Sequence, residues 1–280
     1  MLLTAAISPC PNDTWIHASW IMGLVEHPGL ARDDLACLWS DIAELNDMAV
    51  QARAHVIKIS AVQALRLGPD WTLLASGGAF GLGQGPRIVI LPQGPENPKT
   101  MAVPGLSTTA FALARSALSH DFKPVPMRFD LVPGAVLDGR VDAGLLIHET
   151  ALVHSRLGLE LLVDLGQWWA QRSSGLPLPL GVCVAATGLG PSRIRSVDSL
   201  FAASLEFARR NPETVMPLVR ALARELDDST LKAHIDAYVN NLSLDMGPTG
   251  KHALELLGSL LPDAPRAFEA DPAHPNHLRP

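Results

Sequence analysis

Cysteine is scarce in this 280-residue chain: Cys10, Cys37 and Cys183 stand far apart, cannot all pair, and form no C-x-x-C spacing. That usage excludes a disulfide framework and points to a reducing compartment. Basic charge is lacking too. The net charge is −6, with no block of like charges, so there is no basic face of the kind that grips nucleic acid. No apolar run approaches the ~18 residues that a membrane helix needs. The opening Met-Leu-Leu-Thr-Ala-Ala-Ile-Ser-Pro-Cys has no basic n-region, and Ser8-Pro9 ahead of Cys10 is wrong for a lipidation site. The expectation is a cytoplasmic protein without a membrane anchor.

Nucleotide and metal signatures are missing as well. The glycine-rich stretch from Gly77 to Pro86 matches neither the dinucleotide fingerprint nor the P-loop, because no Gly-Lys-Ser/Thr follows and the next element reads as a strand. It reads as a loop whose backbone passes close to a ligand or a hinge. His148 and His154 are six residues apart and do not share a helical face. His120, His234, His252, His274 and His277 are scattered and read as surface residues. No metal and no organic cofactor is expected, and no internal repeat appears.

What is present is an alternation of strands and helices. Leu2 to Ile7, Leu35 to Trp39, Val56 to Ile59, Thr72 to Ala75 and Arg87 to Leu91 read as strands, separated by helices from Asp13, Ile42 and Ala61. Three prolines and a glycine between Pro92 and Pro98 mark a turn or a crossing, since proline cannot sit inside a central strand. A second unit follows, with strands at Thr100 to Val103, Met127 to Phe129, Ala143 to Ile147, Leu161 to Leu165 and Leu180 to Ala185. From Arg193 the pattern is helical, and the proline-rich stretch from Pro262 reads as a loose tail. The expectation is an α/β chain with parallel or mixed sheets covered by helices. Two lobes face a cleft: residues 1–97 with 190–280 form one, and 98–189 the other.

Ligands in such folds sit beyond the C-terminal ends of strands. His148 stands there, directly after Leu145-Leu146-Ile147, where it either serves as a general base or merely caps the next helix. Ser107-Thr108-Thr109 follows a Pro-Gly turn and opens a helix; the hydroxyls cap it or help hold an anion at the positive end of its dipole. Between Ser8 and Thr14, two prolines stiffen a turn that offers Asn12 and Asp13 at a helix start. Lys58 lies among apolar strand residues, beside Ile59 and Ser60. It needs a carboxylate or ligand partner if buried, and faces solvent if the strand is an edge.

Taken in order along the chain, these segments resemble the 1,4-dihydroxy-6-naphthoate synthase family. S-P-C-P-N-D-T occupies Ser8 to Thr14, D-x-x-x-L-N Asp41 to Asn46, and the K-x-S turn Lys58 to Ser60. S-G-G-A-x-G-x-G-x-G-P covers Ser76 to Pro86, V-P-G-x-x-T-T-A Val103 to Ala110, and D-A-G-L-x-I-H-E Asp142 to Glu149. V-D-L-G-x-W-W, G-L-P-x-P-L-G, Y-V-N and S-L-D-x-G follow at Val163, Gly175, Tyr238 and Ser243. The resemblance implies a two-lobed fold like that of class II periplasmic binding proteins, with a helical C-terminal part. It implies a lyase of menaquinone biosynthesis acting on a small-molecule substrate, cyclic dehypoxanthine futalosine. It also implies His148 as catalytic base, with Lys58, Ile59, Ser60, Thr108 and Thr109 as substrate contacts; Asn12, Asp13 and Ser107 join the expected binding set.

Trp15, His17, Ser107 and Arg87 depart from the family pattern, and the first two are expected to reshape the cleft. Two other readings share the fold: a solute-binding protein without chemistry, and an enzyme for a related futalosine derivative.

Overall fold

The computed structural model describes residues 2–30, 34–223 and 227–261, so the proline-rich C-terminal stretch lies outside the described residues. In chain order the first elements are β1 (Leu3–Ile7), α1 (Pro11–Ile21), β2 (Leu35–Trp39), α2 (Ile42–Val50), β3 (Val56–Ser60), α3 (Ala61–Ala64), β4 (Trp71–Leu73) and β5 (Ala79–Gly81). Then come β6 (Arg87–Ile90), β7 (Thr100–Val103), α4 (Thr109–Ala117), β8 (Lys123–Pro126), α5 (Val132–Leu137), β9 (Ala143–Leu146) and α6 (His148–Val153). β10 (Glu160–Asp164), α7 (Leu165–Arg172) and β11 (Leu178–Ala186) lead into the helices α8 (Pro191–Arg210), α9 (Pro212–Leu222), α10 (Asp228–Tyr238), α11 (Asn241–Leu244) and α12 (Gly247–Gly258).

Among the described residues the strands form two sheets. The first runs β2-β1-β3-β11-β4, with β5 also paired to β11; β1, β2 and β3 are parallel, and β11 is antiparallel to its partners. The second runs β10-β6-β9-β7-β8, with β6 antiparallel to both neighbours and β7 parallel to β8 and β9. β3 is fully buried and central, as its run of Val, Ile, Lys, Ile and Ser requires when both faces are covered.

Sheet membership changes at two places that the prolines of 92–98 did not mark. β6 already belongs to the second sheet, so the chain passes over between β5 and β6, and it returns between β10 and β11. The glycines of the first passage serve this crossing. A Cβ on Gly85 would lie 2.8 Å from the backbone of Gly166, and one on Gly166 would lie 2.5 Å from Gln84. The close neighbour is therefore the returning chain. The same stretch is not all loop: Ala79–Gly81 pairs with β11. β8 also differs from expectation, falling at Lys123–Pro126 and not at Met127 to Phe129. Its two prolines are tolerated because it is an edge strand with one neighbour. Trp168 and Trp169 lie in α7.

One large apolar cluster spans both sheets, joining Ile57, Ile59 and Val182 of the first to Ile88, Met101 and Leu145 of the second. The C-terminal helices pack around α1, which contacts α8, α9 and α10. This packing brings the first turn of α1, the end of β3 and the start of α6 to a common space. Among the described residues, no helix is long and apolar enough to cross a membrane.

Candidate active site

A cavity opens where the two sheets meet. Lys58 and Ser60 point into it from β3, Asn12 and Asp13 from the first turn of α1, and Thr108 and Thr109 from the start of α4. His148 enters from the β9–α6 junction and Tyr238 from the end of α10. Ile42, Ala79, Pro86, Ala110, Ile147 and Leu180 form apolar walls. Two expected contacts are placed elsewhere. Ile59 alternates with Lys58 and Ser60 along the strand, so its side chain enters the core. Ser107 sits behind the cavity, bonded through its carbonyl and its hydroxyl to the Asn46 amide.

Lys58 is 2 % exposed and cannot be an edge-strand lysine, because β3 has a partner on each side. Its Nζ lies 2.9 Å from Asp13 Oδ1 and donates to the Gly77 carbonyl at 2.6 Å. Asp13 Oδ1 also accepts from Asn12 Nδ2 at 2.9 Å. Burial pushes the Asp13 carboxyl above its ordinary value, while the Lys58 ammonium pulls it back down. The proline that opens α1 accounts for this arrangement. Pro11 starts α1 and so puts Asn12 and Asp13 in its first turn, with the acid at the positive end of the helix.

Asn46 explains the D-x-x-x-L-N segment. Asp41 caps α2 by accepting from Ala43 N, which sets the helix so that Asn46 faces β3. Its Oδ1 accepts from Ser60 N at 2.9 Å, and its amide donates to Ser60 Oγ at 3.0 Å. The paired threonines are likewise committed to the scaffold. Thr108 Oγ1 caps α4 by accepting from Phe111 N, and it donates to the Gly105 carbonyl. Thr109 Oγ1 donates to the Leu180 carbonyl at 2.9 Å and accepts from Val62 N at 3.2 Å. What they present to a ligand is chiefly the start of α4, where the first backbone N–H groups have no partner within the helix.

His148 is the first residue of α6 and adopts φ 54°, the left-handed region that few non-glycine residues occupy. Its ring is partly exposed to the cavity, while its Nε2 is buried and has no hydrogen-bond partner among the described residues. Burial and the nearby Lys58 charge push the imidazole down from 6.5 to about 4, so it is neutral at physiological pH. Phe129 meets it edge-on at 4.9 Å. Arg87 braces the helix from the next strand by donating to the Ala151 carbonyl at 2.9 Å and to Asp164 at 3.2 Å.

His234 is not a surface residue. It is 0 % exposed on α10, stacks on His148 with centroids 6.0 Å apart, and places Nε2 2.9 Å from Asn12 Oδ1. Leu231, His234, Ile235 and Tyr238 share the spacing of a buried helical stripe, and that pattern was the available signal. Trp15 and His17 line no part of the cavity. Trp15 packs among the C-terminal helices, and His17 contacts Trp20 and Phe201 deep in the fold. Among the described residues, no three His, Cys, Asp or Glu side chains converge in a way that could hold a metal ion.

The site thus offers a neutral imidazole, a buried ammonium–carboxylate pair and a helix start, between apolar walls. Comparison with known proteins places this arrangement in a family. A model described as menaquinone biosynthesis matches residues 3–262. A 1,4-dihydroxy-6-naphthoate synthase of Thermus thermophilus is 39 % identical over 258 residues, covering 91 % of this chain and 92 % of the relative. The synthase of that name from Streptomyces coelicolor is 36 % identical over 259 residues, covering 90 % of each. A crystal structure of a protein from Archaeoglobus fulgidus superposes with a TM-score of 0.86 at 32 % identity, over 92 % of this chain and 96 % of that one. The periplasmic aliphatic sulphonate-binding protein of Escherichia coli shares the fold, with a TM-score of 0.60 at 13 % identity over 94 % of this chain and 89 % of that one. The chain has a periplasmic-binding-protein-like fold and belongs to the menaquinone biosynthesis family, as an enzyme of the 1,4-dihydroxy-6-naphthoate synthase kind.

Proposed function

We propose that this enzyme converts cyclic dehypoxanthine futalosine to 1,4-dihydroxy-6-naphthoate, a lyase step, with His148 as general base. The observation that carries the reading is His148 itself: a neutral imidazole at the tip of a buried strand, with its ring at the wall of the cavity. A neutral ring can accept a proton at pH 7, and a positioned base contributes roughly 10²–10⁴-fold. The apolar walls suit the flat aromatic part of such a substrate. Lys58, Ser60 and the start of α4 suit its carboxylate and oxygen groups.

In this reading the bound substrate lies between the two sheets and loses a proton to His148. The electron pair left behind expels the sugar-derived fragment, and aromatisation of the remaining ring system supplies driving force. Residues from both sheets contribute, so closure around the substrate would exclude water and complete the geometry. The expected location is the cytoplasm, where the pathway's small-molecule substrate would be supplied.

The test is incubation of purified protein with cyclic dehypoxanthine futalosine in the presence of a metal chelator, followed by mass spectrometry. Formation of 1,4-dihydroxy-6-naphthoate supports the reading. Tight binding without product would refute it and leave a binding protein or an enzyme for a related derivative.

A further inference from the structure

The second imidazole of the site is held by one hydrogen bond and two ring contacts. Tyr238 meets His234 edge-on at 5.1 Å, from one turn further along α10. The amide of Asn12 donates to Asp13, so its Oδ1 is the atom that faces His234, and His234 Nε2 must carry the proton. The opposite ring nitrogen, Nδ1, lies 3.8 Å from Glu149 Oε2, next in sequence to His148. A chain of contacts therefore runs from Lys58 through Asp13 and Asn12 to His234, and ends on the ring of His148.

This chain joins the two sheets. α10 packs against α1 and β5 on one side and against α6 on the other. His148 follows β9 of the second sheet, whereas Asn12, Asp13 and Lys58 belong to elements of the first. The left-handed backbone of His148 needs outside support, since such conformations persist only where the surroundings over-determine them. Phe129 supplies one contact to its ring, and His234 supplies the other.

We propose that His234 is a positioning residue for His148: its ring face, stacked on the His148 imidazole, holds that imidazole in one orientation at the cavity wall. The inference rests on the base role proposed above for His148. A base displaced by about 1 Å can lose on the order of 100-fold in rate, so a residue that only fixes its orientation has leverage on turnover.

Two substitutions separate the ring from its hydrogen bond. His234→Phe keeps an aromatic face and loses the N–H, while His234→Gln keeps an N–H for Asn12 and loses the face. Turnover and KM are measured with cyclic dehypoxanthine futalosine. Nuclear Overhauser contacts between the His148 and Phe129 rings are measured in the substrate-free, ring-labelled protein. His234→Gln is expected to lose about ten-fold or more in kcat with KM within about three-fold, and to lose the ring contacts. His234→Phe is expected to keep the ring contacts and to stay within about three-fold of the parent kcat. A Gln variant with normal kcat and intact ring contacts would overturn the proposal, as would a Phe variant impaired as severely as the Gln one. Should the parent protein not turn the substrate over, the base reading fails on that ground. The ring contacts still decide the positioning role: their survival in His234→Gln overturns it, and their loss there with retention in His234→Phe upholds it.

Discussion

Replacing Lys58 by methionine removes the buried ammonium while keeping most of the side-chain volume. Asp13, 4 % exposed at its side chain, then keeps only the Asn12 amide, and the Gly77 carbonyl keeps only the weak Cys183 thiol donor. Breaking a buried pair from one side typically costs about 3–5 kcal/mol, because an uncompensated charge stays behind. That is a large share of the 5–15 kcal/mol, roughly, that separates a folded domain from its unfolded chain. Asp13 has an escape, however, because burial already pushes its carboxyl upward and it can take up a proton. The sign follows from linkage. A carboxyl raised in the folded state stabilises below its unfolded value and loses that contribution as pH rises through the folded value. Urea unfolding of Lys58→Met should therefore show a larger deficit at pH 7.5 than at pH 5. Adding Asp13→Asn removes the stranded charge and should recover about 2 kcal/mol of that deficit. A Lys58→Met deficit below about 1 kcal/mol at both pH values would refute the reasoning, since a surface pair behaves that way.

The pH dependence of kcat/KM gives a second prediction. Burial and Lys58 push His148 down to about 4, so the acid limb should bend near pH 4, with a flat rate from about pH 5.5 to 8. In Lys58→Met the limb should move up only part of the way toward the ordinary histidine value of about 6.5, because burial, the larger cause, remains; a parent limb already at 6.5 would place His148 in solvent. Thr109→Val removes the hydroxyl that links α4 to the Leu180 carbonyl and to Val62 N, leaving a buried N–H without its partner. A loss of about 1–3 kcal/mol in urea unfolding is expected, and no measurable loss would mean that α4 is held by packing alone.

The site was legible where local chain chemistry determines it. A histidine after Leu145-Leu146-Ile147, a lysine inside an apolar strand, and hydroxyls after a Pro-Gly turn are each singled out by local chain chemistry, which leaves a structural role open for each, and the fold brings them to one cavity. The alternation of strands and helices likewise implied two sheets. His234 is hard to read because histidine is polar and common on surfaces, whereas its place in the stripe of Leu231, Ile235 and Tyr238 marks it as buried. Trp15 and His17 mislead in the opposite direction. They follow the site-lining Asn12 and Asp13 in sequence, but the helical turn swings them toward α8 and α10. The crossings escaped because prolines at 92–98 were a louder signal than the glycines at 85 and 166, whose meaning lies in a contact between distant segments. The edge position of β8, which makes its prolines acceptable, is also a property of the assembled sheet.

The most direct measurement compares single-turnover formation of 1,4-dihydroxy-6-naphthoate by the parent protein and by His148→Asn, with substrate affinity determined alongside. Asparagine keeps a polar group of similar reach but cannot accept the proton at neutral pH. The account predicts product from the parent, a loss of at least ~100-fold in the variant, and an affinity within a few-fold. Product formation by His148→Asn at a near-normal rate would contradict it and remove His148 from the chemistry.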